Sequence, residues 1–433
     1  MNMPPSRAGR PRQGSPAARG RPPATRPLGA RRRRPARTSP KRDWIPFATL
    51  IVAVLPSLAA FAAFYFTSKQ IQATNKQLAI TETGQITDRY NAAVTNLGSS
   101  SIFVRLGGIY ALRRLMHDSP PDQPTIVAVL CAFVRDQGPS AGKPEKPPAP
   151  HLPTDVQAAL TVVGTRKPAQ DGSTTLIDLN HALLVDAQLG SLSLANANFS
   201  GADLGGANLS FTRLAGANLT GANLAGAKLT GTHLADANLS SGKLTMASLT
   251  DTDLTGADLS RANLAGAVLV GANLNGASFS GADLSGAVLV SANIPGLSFA
   301  TATLTGADLS GATLTRGYLV GADLSGALLV NAVFTGADLT GADLTRADIR
   351  HAILNGANLS YVNLSGADLY AAHLAGANLT GADLTGADLG AAILTRANLT
   401  GVNLTGAYWP RGVTVPVGWQ RNPDSGLLES SKR

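Results

Sequence analysis

The sequence predicts an all-β repeat solenoid of about 12 four-sided coils, set behind one transmembrane helix and a small α-helical neck. Three observations lead there. From Leu179 to Trp409 every fifth residue is large and apolar, at 47 consecutive positions of which 40 are Leu. Two residues before these positions, Ala recurs 37 times. Nearer the N-terminus, residues 44–66 read WIPFATLIVAVLPSLAAFAAFYF, a run of 23 residues without a charge.

Neither regular element accommodates a five-residue apolar period. On an α-helix, steps of five advance by roughly 140° and scatter the leucines around every side. On a straight strand, an odd spacing alternates them between the two faces. A chain turning about 90° per pentapeptide satisfies the period, because four such units close a square with every leucine on its axis. Ala two residues earlier also points inward and lets opposite walls approach. Gly and Ser/Thr fill the remaining positions and suit the corners, where unusual backbone angles are needed. The interval 294–299 departs from this pattern. Pro295 follows Ile294, Leu297 replaces the inward Ala, and Gly317 replaces another, so a bulge or loosened coil is expected there.

The runs GANLTGANL at 216–224 and GADLTGADL at 381–389 resemble the pentapeptide-repeat proteins. That resemblance implies a right-handed quadrilateral β-helix over 176–409. Residues 84–165, with GQITDRYNAAVTNLG, VRLGGIYALRRL and LPTDVQAAL, are similar to a neck preceding such repeats in bacterial membrane-associated members. The resemblance also implies an alternative role. Some members mimic duplex DNA in shape and charge and bind topoisomerases such as gyrase.

The segments before the solenoid follow from composition. Residues 1–43 hold 13 Lys and Arg against one Asp, with too few apolar side chains to offset the entropy of ordering, and read as a disordered basic tail. Residues 44–66 are long enough to cross a bilayer and lack the small-residue cleavage site of a secretory leader, the competing reading. Basic residues concentrate before this span, which places the tail in the cytoplasm and the solenoid outside, in a single-pass protein of the bacterial plasma membrane. Residues 67–165 read as a helical stalk and neck. Within them, helices are expected around VRLGGIYALRRLMHD and TIVAVLCAFVRD. A Pro-rich linker, 139–153, precedes PTDVQAALTVVGTR, a third helix with Thr154 or Asp155 as its cap. Arg105 and the Arg113–Arg114 pair are candidates for a partner or lipid headgroups, although a solvated face explains them as well. The helix near 153–163 is expected to cover the first coil. In residues 410–433, Pro410 and VTVPVGWQ with Trp419, joined to Tyr408 and Trp409, are expected to cover the last coil. The single cysteine, Cys131, sits among apolar neighbours and excludes an intramolecular disulfide.

Function is read from the outward positions, which return to the same face every 20 residues. Immediately before the inward leucines, one face gathers Asp283, Asp323, Asp343 and Asp383, the candidate partner-binding wall. The bland reading of such residues is that stacked Asp and Asn side chains satisfy neighbouring backbone groups. Residues 176–410 hold 16 Asp against 8 Lys and Arg, a charge density far below that of duplex DNA. This argues against the DNA-mimic alternative, and an external solenoid would not meet gyrase. The histidines 181, 233, 351 and 373 are dispersed, and carboxylates on a flat wall have no pocket to desolvate them. No enzyme, cofactor or metal site is therefore expected. The reading is a membrane-anchored scaffold or interaction module with a protein partner, and nucleic acid is not expected to bind.

Overall fold

The computed structural model describes residues 45–136, 152–172 and 175–431, with side chains from residue 55 onward. The basic tail and most of the Pro-rich linker lie outside these residues. The chain divides into two compact units, 1–77 and 78–433. Helix α1, Ile45–Leu97, runs 53 residues and includes Pro56. Among the described residues no helix is long and apolar enough to cross a membrane. The side chains of 44–54, the first half of the apolar run, fall outside the described set, so the expectation of a crossing helix stands on the sequence.

In the second unit, α2 (Ile102–Asp118), α3 (Gln123–Asp136) and α4 (Thr154–Gly164) form the neck. Ile109, Leu112, Leu130, Leu160 and Val163 make its core, and Ile86, Tyr90 and Val94 of α1 pack against it. Gly108 admits this packing, since a Cβ there would stand 2.7 Å from the Ala93 carbonyl oxygen. Two sequence expectations are corrected here. Neither Thr154 nor Asp155 caps α4, because Pro153 occupies the capping position without a side-chain bond. Arg105 is not available to a partner, because its Nε lies 2.5 Å from Asp155 Oδ2 and its Nη1 donates to the carbonyls of Ser99 and Ser100.

The solenoid is held by parallel bridges between residues 20 apart, from Asp178↔Asn198 to Asp388↔Tyr408. Each coil therefore has four sides of five residues. The inward Leu and Ala are buried almost throughout, and Phe199, Phe279, Phe299 and Phe334 substitute for Leu without leaving the core. The second residue after each inward Leu adopts positive φ, as at Gly341 (65°) and Tyr361 (57°). The amide of the following residue then donates to the Leu carbonyl, as from Ala342 to Leu339 at 3.0 Å. Positive φ at the second central residue with an i→i+3 bond is the signature of a type II turn, which supplies the 90° corner.

One gap interrupts the ladder among the described residues. Every 20-residue pair between 178/198 and 388/408 bridges except Asn273 and Asn293. Phe279 and Phe299 stack in successive coils with ring centroids 5.3 Å apart, wider than the ~4.8 Å between paired strands. Leu297 adds bulk at an inward position beside them. The face that carries these rings stays bridged at Ser278 and Ser298, and the gap lies on the preceding face, beside the interval where Pro295 and Leu297 predict a loosened coil.

Both ends are covered in part. At the N-terminal end, the Gln157 side chain imitates a strand. Its Oε1 accepts from the Gln188 amide at 2.8 Å and its Nε2 donates to the Gln188 carbonyl at 2.7 Å. Ser193 donates to the Gly164 carbonyl and Arg166 donates to the Ser193 carbonyl. At the other end, β1 (Trp419–Arg421) and β2 (Leu428–Ser430) form a hairpin that the sequence reading missed. Leu428 adds a rung, donating to Ala407 and accepting from Gly406. Arg421 donates to the carbonyls of Trp409 and Pro410. Trp409 and Leu428 are buried and Val415 and Trp419 pack against the core as expected of the cap, whereas Val417 is fully exposed.

Candidate interaction surface

The pentapeptide 341–345 shows what the outward positions do. Its backbone amides are accounted for one by one. Gly341 donates to Ser360, Ala342 to Leu339, Asp343 to Ala322 and Leu344 to Asn363. The fifth amide, Thr345, has no carbonyl in register and donates instead to Asp343 Oδ1 at 2.9 Å. Ser285, Ser325 and Thr385 donate in the same way to Asp283, Asp323 and Asp383. An Asp or Asn before the inward Leu thus satisfies the one amide that the coil leaves over.

The four candidate residues occupy one ladder, in the order Asp283, Thr303, Asp323, Asp343, Asn363, Asp383. Asp323 and Asp343 are direct neighbours, and Thr303 and Asn363 separate the outer two from them. Partial burial pushes the Asp323 carboxyl up, but the hydroxyl and amide of Ser325 and the hydroxyl of Thr305 outweigh it, leaving the group below its ordinary value. Asp383 is likewise pushed up by burial and held below its ordinary value by hydrogen bonds, chiefly from Thr385. These carboxylates present the acceptor capacity that remains after their own backbone bonds. Among the described residues no group of His, Cys, Asp and Glu is placed to hold a metal ion.

The adjoining face carries a second acidic run. Asp348, Asp368 and Asp388 follow one another up its ladder and Tyr408 ends it. Arg350 makes two bonds to Asp348, at 2.8 and 2.6 Å, and stands 3.6 Å from Asp368. Its hydrogen bond holds the Asp348 carboxyl below the ordinary range. Tyr370 meets the His351 ring edge-on at 6.2 Å.

Sequence reasoning missed the corners. Twenty of them carry a residue other than Gly at positive φ, among them Phe211, Met246 and Tyr361. These three are 62, 69 and 69% exposed. Such residues are strained in this region of backbone space. Their side chains lie over the corner of the next coil, which is Gly in each case: Phe211 over Gly231, Met246 over Gly266, and Tyr361 over Gly381. The signal was present in the sequence as bulk where the five-residue consensus has Gly.

Comparison with known proteins identifies the repeats. The family described as Pentapeptide repeats matches in successive stretches that together run from 182 to 408. HetL, a pentapeptide repeat protein of Nostoc sp. strain PCC 7120 involved in heterocyst differentiation regulation, is 38% identical. That match covers 48% of this chain and 91% of HetL, with a TM-score of 0.19. The pentapeptide repeat protein alr5209 of Nostoc PCC 7120 is 39% identical over 21% of this chain and 77% of its own, with a TM-score of 0.15. Full-length QnrB1, a plasmid-mediated fluoroquinolone resistance protein, is 20% identical over 49% of this chain and 90% of its own, with a TM-score of 0.24. No curated protein matches the chain.

Proposed function

Because the chain belongs to the pentapeptide-repeat family, we propose that it acts as a non-enzymatic, membrane-anchored scaffold whose solenoid binds a protein. The observation that carries this reading is the set of bulky corners. Phe211, Met246 and Tyr361 occupy strained positions, are largely exposed, and add nothing to the inward core. Strain kept at an exposed position points to function. Exposed aromatic and Met side chains on a rigid frame are the residue types enriched at protein interfaces. The three stand on different edges of the coil, and the Asp column of 283, 323, 343 and 383 adjoins the edge of Tyr361 and supplies a polar flank for a contact there.

The anchor is the uncharged run 44–66, and the basic tail before it sets the solenoid on the extracytoplasmic side of the bacterial plasma membrane. Two experiments test the reading. A reporter fused after Arg433 is expected to be active only outside the cell, and a cytoplasmic signal refutes the orientation. Photo-crosslinking side chains at Phe211, Met246 and Tyr361 of the full chain in membranes are expected to trap a discrete protein partner. Crosslinking no stronger than at Gly341 refutes the binding role of the corners.

A further inference from the structure

The tetrapeptide Leu-Asn-Gly-Ala occurs twice in the solenoid, at 274–277 and at 354–357, and these hold the only Asn-Gly pairs of the chain. Asn before Gly is prone to lose its side-chain amide, because glycine has no Cβ to screen its backbone nitrogen. That nitrogen, once it has given up its proton, attacks the Asn Cγ. Ammonia leaves and a succinimide ring forms. Water then opens the ring. Breaking the new N–Cγ bond gives Asp, whereas breaking the original peptide bond gives isoaspartate, whose main chain runs on through Cβ and Cγ. In sum, water is taken up and ammonia released, with no oxidant or second substrate. The attack requires the Asn-Gly peptide to turn until its nitrogen faces Cγ, so whatever the amide and the side chain hold must first let go.

Local conformation does not separate the two sites. Gly276 and Gly356 turn the same edge of the coil, with φ of 70° and 65°. The carbonyls of Asn275 and Asn355 accept from Gly256 and Gly336 at 2.8 and 3.0 Å. The following coil does separate them. Gly356 donates to the Ala375 carbonyl at 2.9 Å, and the Ala375 amide donates to Asn355 Oδ1 at 3.1 Å. In the coil after Asn275, the equivalent residue is Pro295. Proline has no amide with which to hold the Asn275 side chain. Among the described residues the Gly276 amide has no acceptor either. Asn275 is exposed and Asn355 half-buried. The unbridged pair Asn273 and Asn293 lies in the same two coils.

We infer that Asn275 is a site of spontaneous modification, deamidating through a succinimide with Gly276 where Pro295 leaves the turn untied. Asn355, in the same local sequence, is protected. Either product puts a carboxylate beside the open rung of the ladder. Isoaspartate also adds a backbone carbon to a side built from five residues, at the place where the ladder is already interrupted. The inference depends on neither the proposed anchor nor the proposed partner.

The full chain, kept for days in mildly alkaline buffer and then digested, reports conversion at each Asn by mass spectrometry, and fragmentation separates Asp from isoaspartate. Asn275 should convert about tenfold or more faster than Asn355, because two hydrogen bonds must break at the second site and not at the first. In separate tryptic peptides carrying each site, where the fold is absent, the two rates should converge. Equal rates in the folded chain, a faster Asn355, or a difference that persists in the peptides would each overturn the inference. Ala375→Pro removes the amide that holds Asn355 and suits the second position of a type II turn. It should raise conversion at Asn355 several-fold, and an unchanged rate there also overturns the inference.

Discussion

Gly341 and Gly381 occupy equivalent corners two coils apart, with φ of 65° and 68°, and they separate two effects of adding a methyl group. At Gly341 a Cβ would meet nothing within 4 Å. Ala there carries only the left-handed backbone penalty, about 1–2 kcal/mol, offset by about 0.4–1 kcal/mol because Ala also restricts the unfolded chain. The net loss is about 0.5–1 kcal/mol. At Gly381 the same Cβ would stand 2.8 Å from both Cδ1 and Cε1 of Tyr361. The ring must lift, and the handful of carbon contacts it forfeits, at about 0.1–0.2 kcal/mol each, adds roughly 0.5–1 kcal/mol. Gly381→Ala is therefore expected to be about twice as damaging as Gly341→Ala. Repeat solenoids unfold locally, so amide exchange across the coils at 341–381 in the full chain is a better measure than a single melting point. In a Tyr361→Gly background the excess at Gly381 should vanish. Equal losses at the two glycines, or an excess that persists without Tyr361, would refute the claim that corner side chains rest on the next coil's glycine.

Other consequences are open to direct measurement. The amides of Gly271, Leu274 and Asn293 should exchange faster than their counterparts one coil away, because the ladder has no bridge between Asn273 and Asn293; uniform protection along that face would contradict the gap. Arg105→Ala should destabilise the neck by about 3–5 kcal/mol, since it strands the fully buried Asp155, and Arg105→Met with Asp155→Leu should recover most of that loss in thermal unfolding. Cys131 should resist alkylation in the native chain through pH 9 and react fully once unfolded, because burial pushes its thiol up to about 12. Asp348→Asn should lower the melting temperature near neutral pH and lose its effect in acid. Arg350 depresses the folded carboxyl below its ordinary 3.8, so the wild-type advantage is full above that value and fades as pH falls through the depressed one.

The solenoid was legible because its period has one geometric solution. Forty-seven large apolar residues spaced by five admit neither helix nor flat strand, and the 20-residue ladder follows by arithmetic. The same arithmetic puts Asp283, Asp323, Asp343 and Asp383 in one column. Features that depend on contacts without a period were not legible. The Arg105–Asp155 pair joins residues 50 apart in sequence, and the hairpin 419–430 owes its place to a rung at Leu428 and to Arg421 on the carbonyls of Trp409 and Pro410. Nothing in local composition announces either.

Periodicity alone does not single out a binding surface, because the most regular outward residues have a structural duty. Apart from Asn293, which Pro295 leaves without an amide to answer, each Asp or Asn of the walls answers the one amide per pentapeptide that the coil leaves unpaired, as at Asp283, Asp323, Asp343 and Asp383, so its recurrence is explained whether or not anything binds there. A corner is different. Gly would relieve the strain at Phe211, Met246 and Tyr361, and their exposed bulk fills no place in the core. Residues that the fold does not require, at positions where they are costly, are the ones that the proposed binding role would explain. The corners therefore depart from a bare five-residue repeat where the acidic walls follow it.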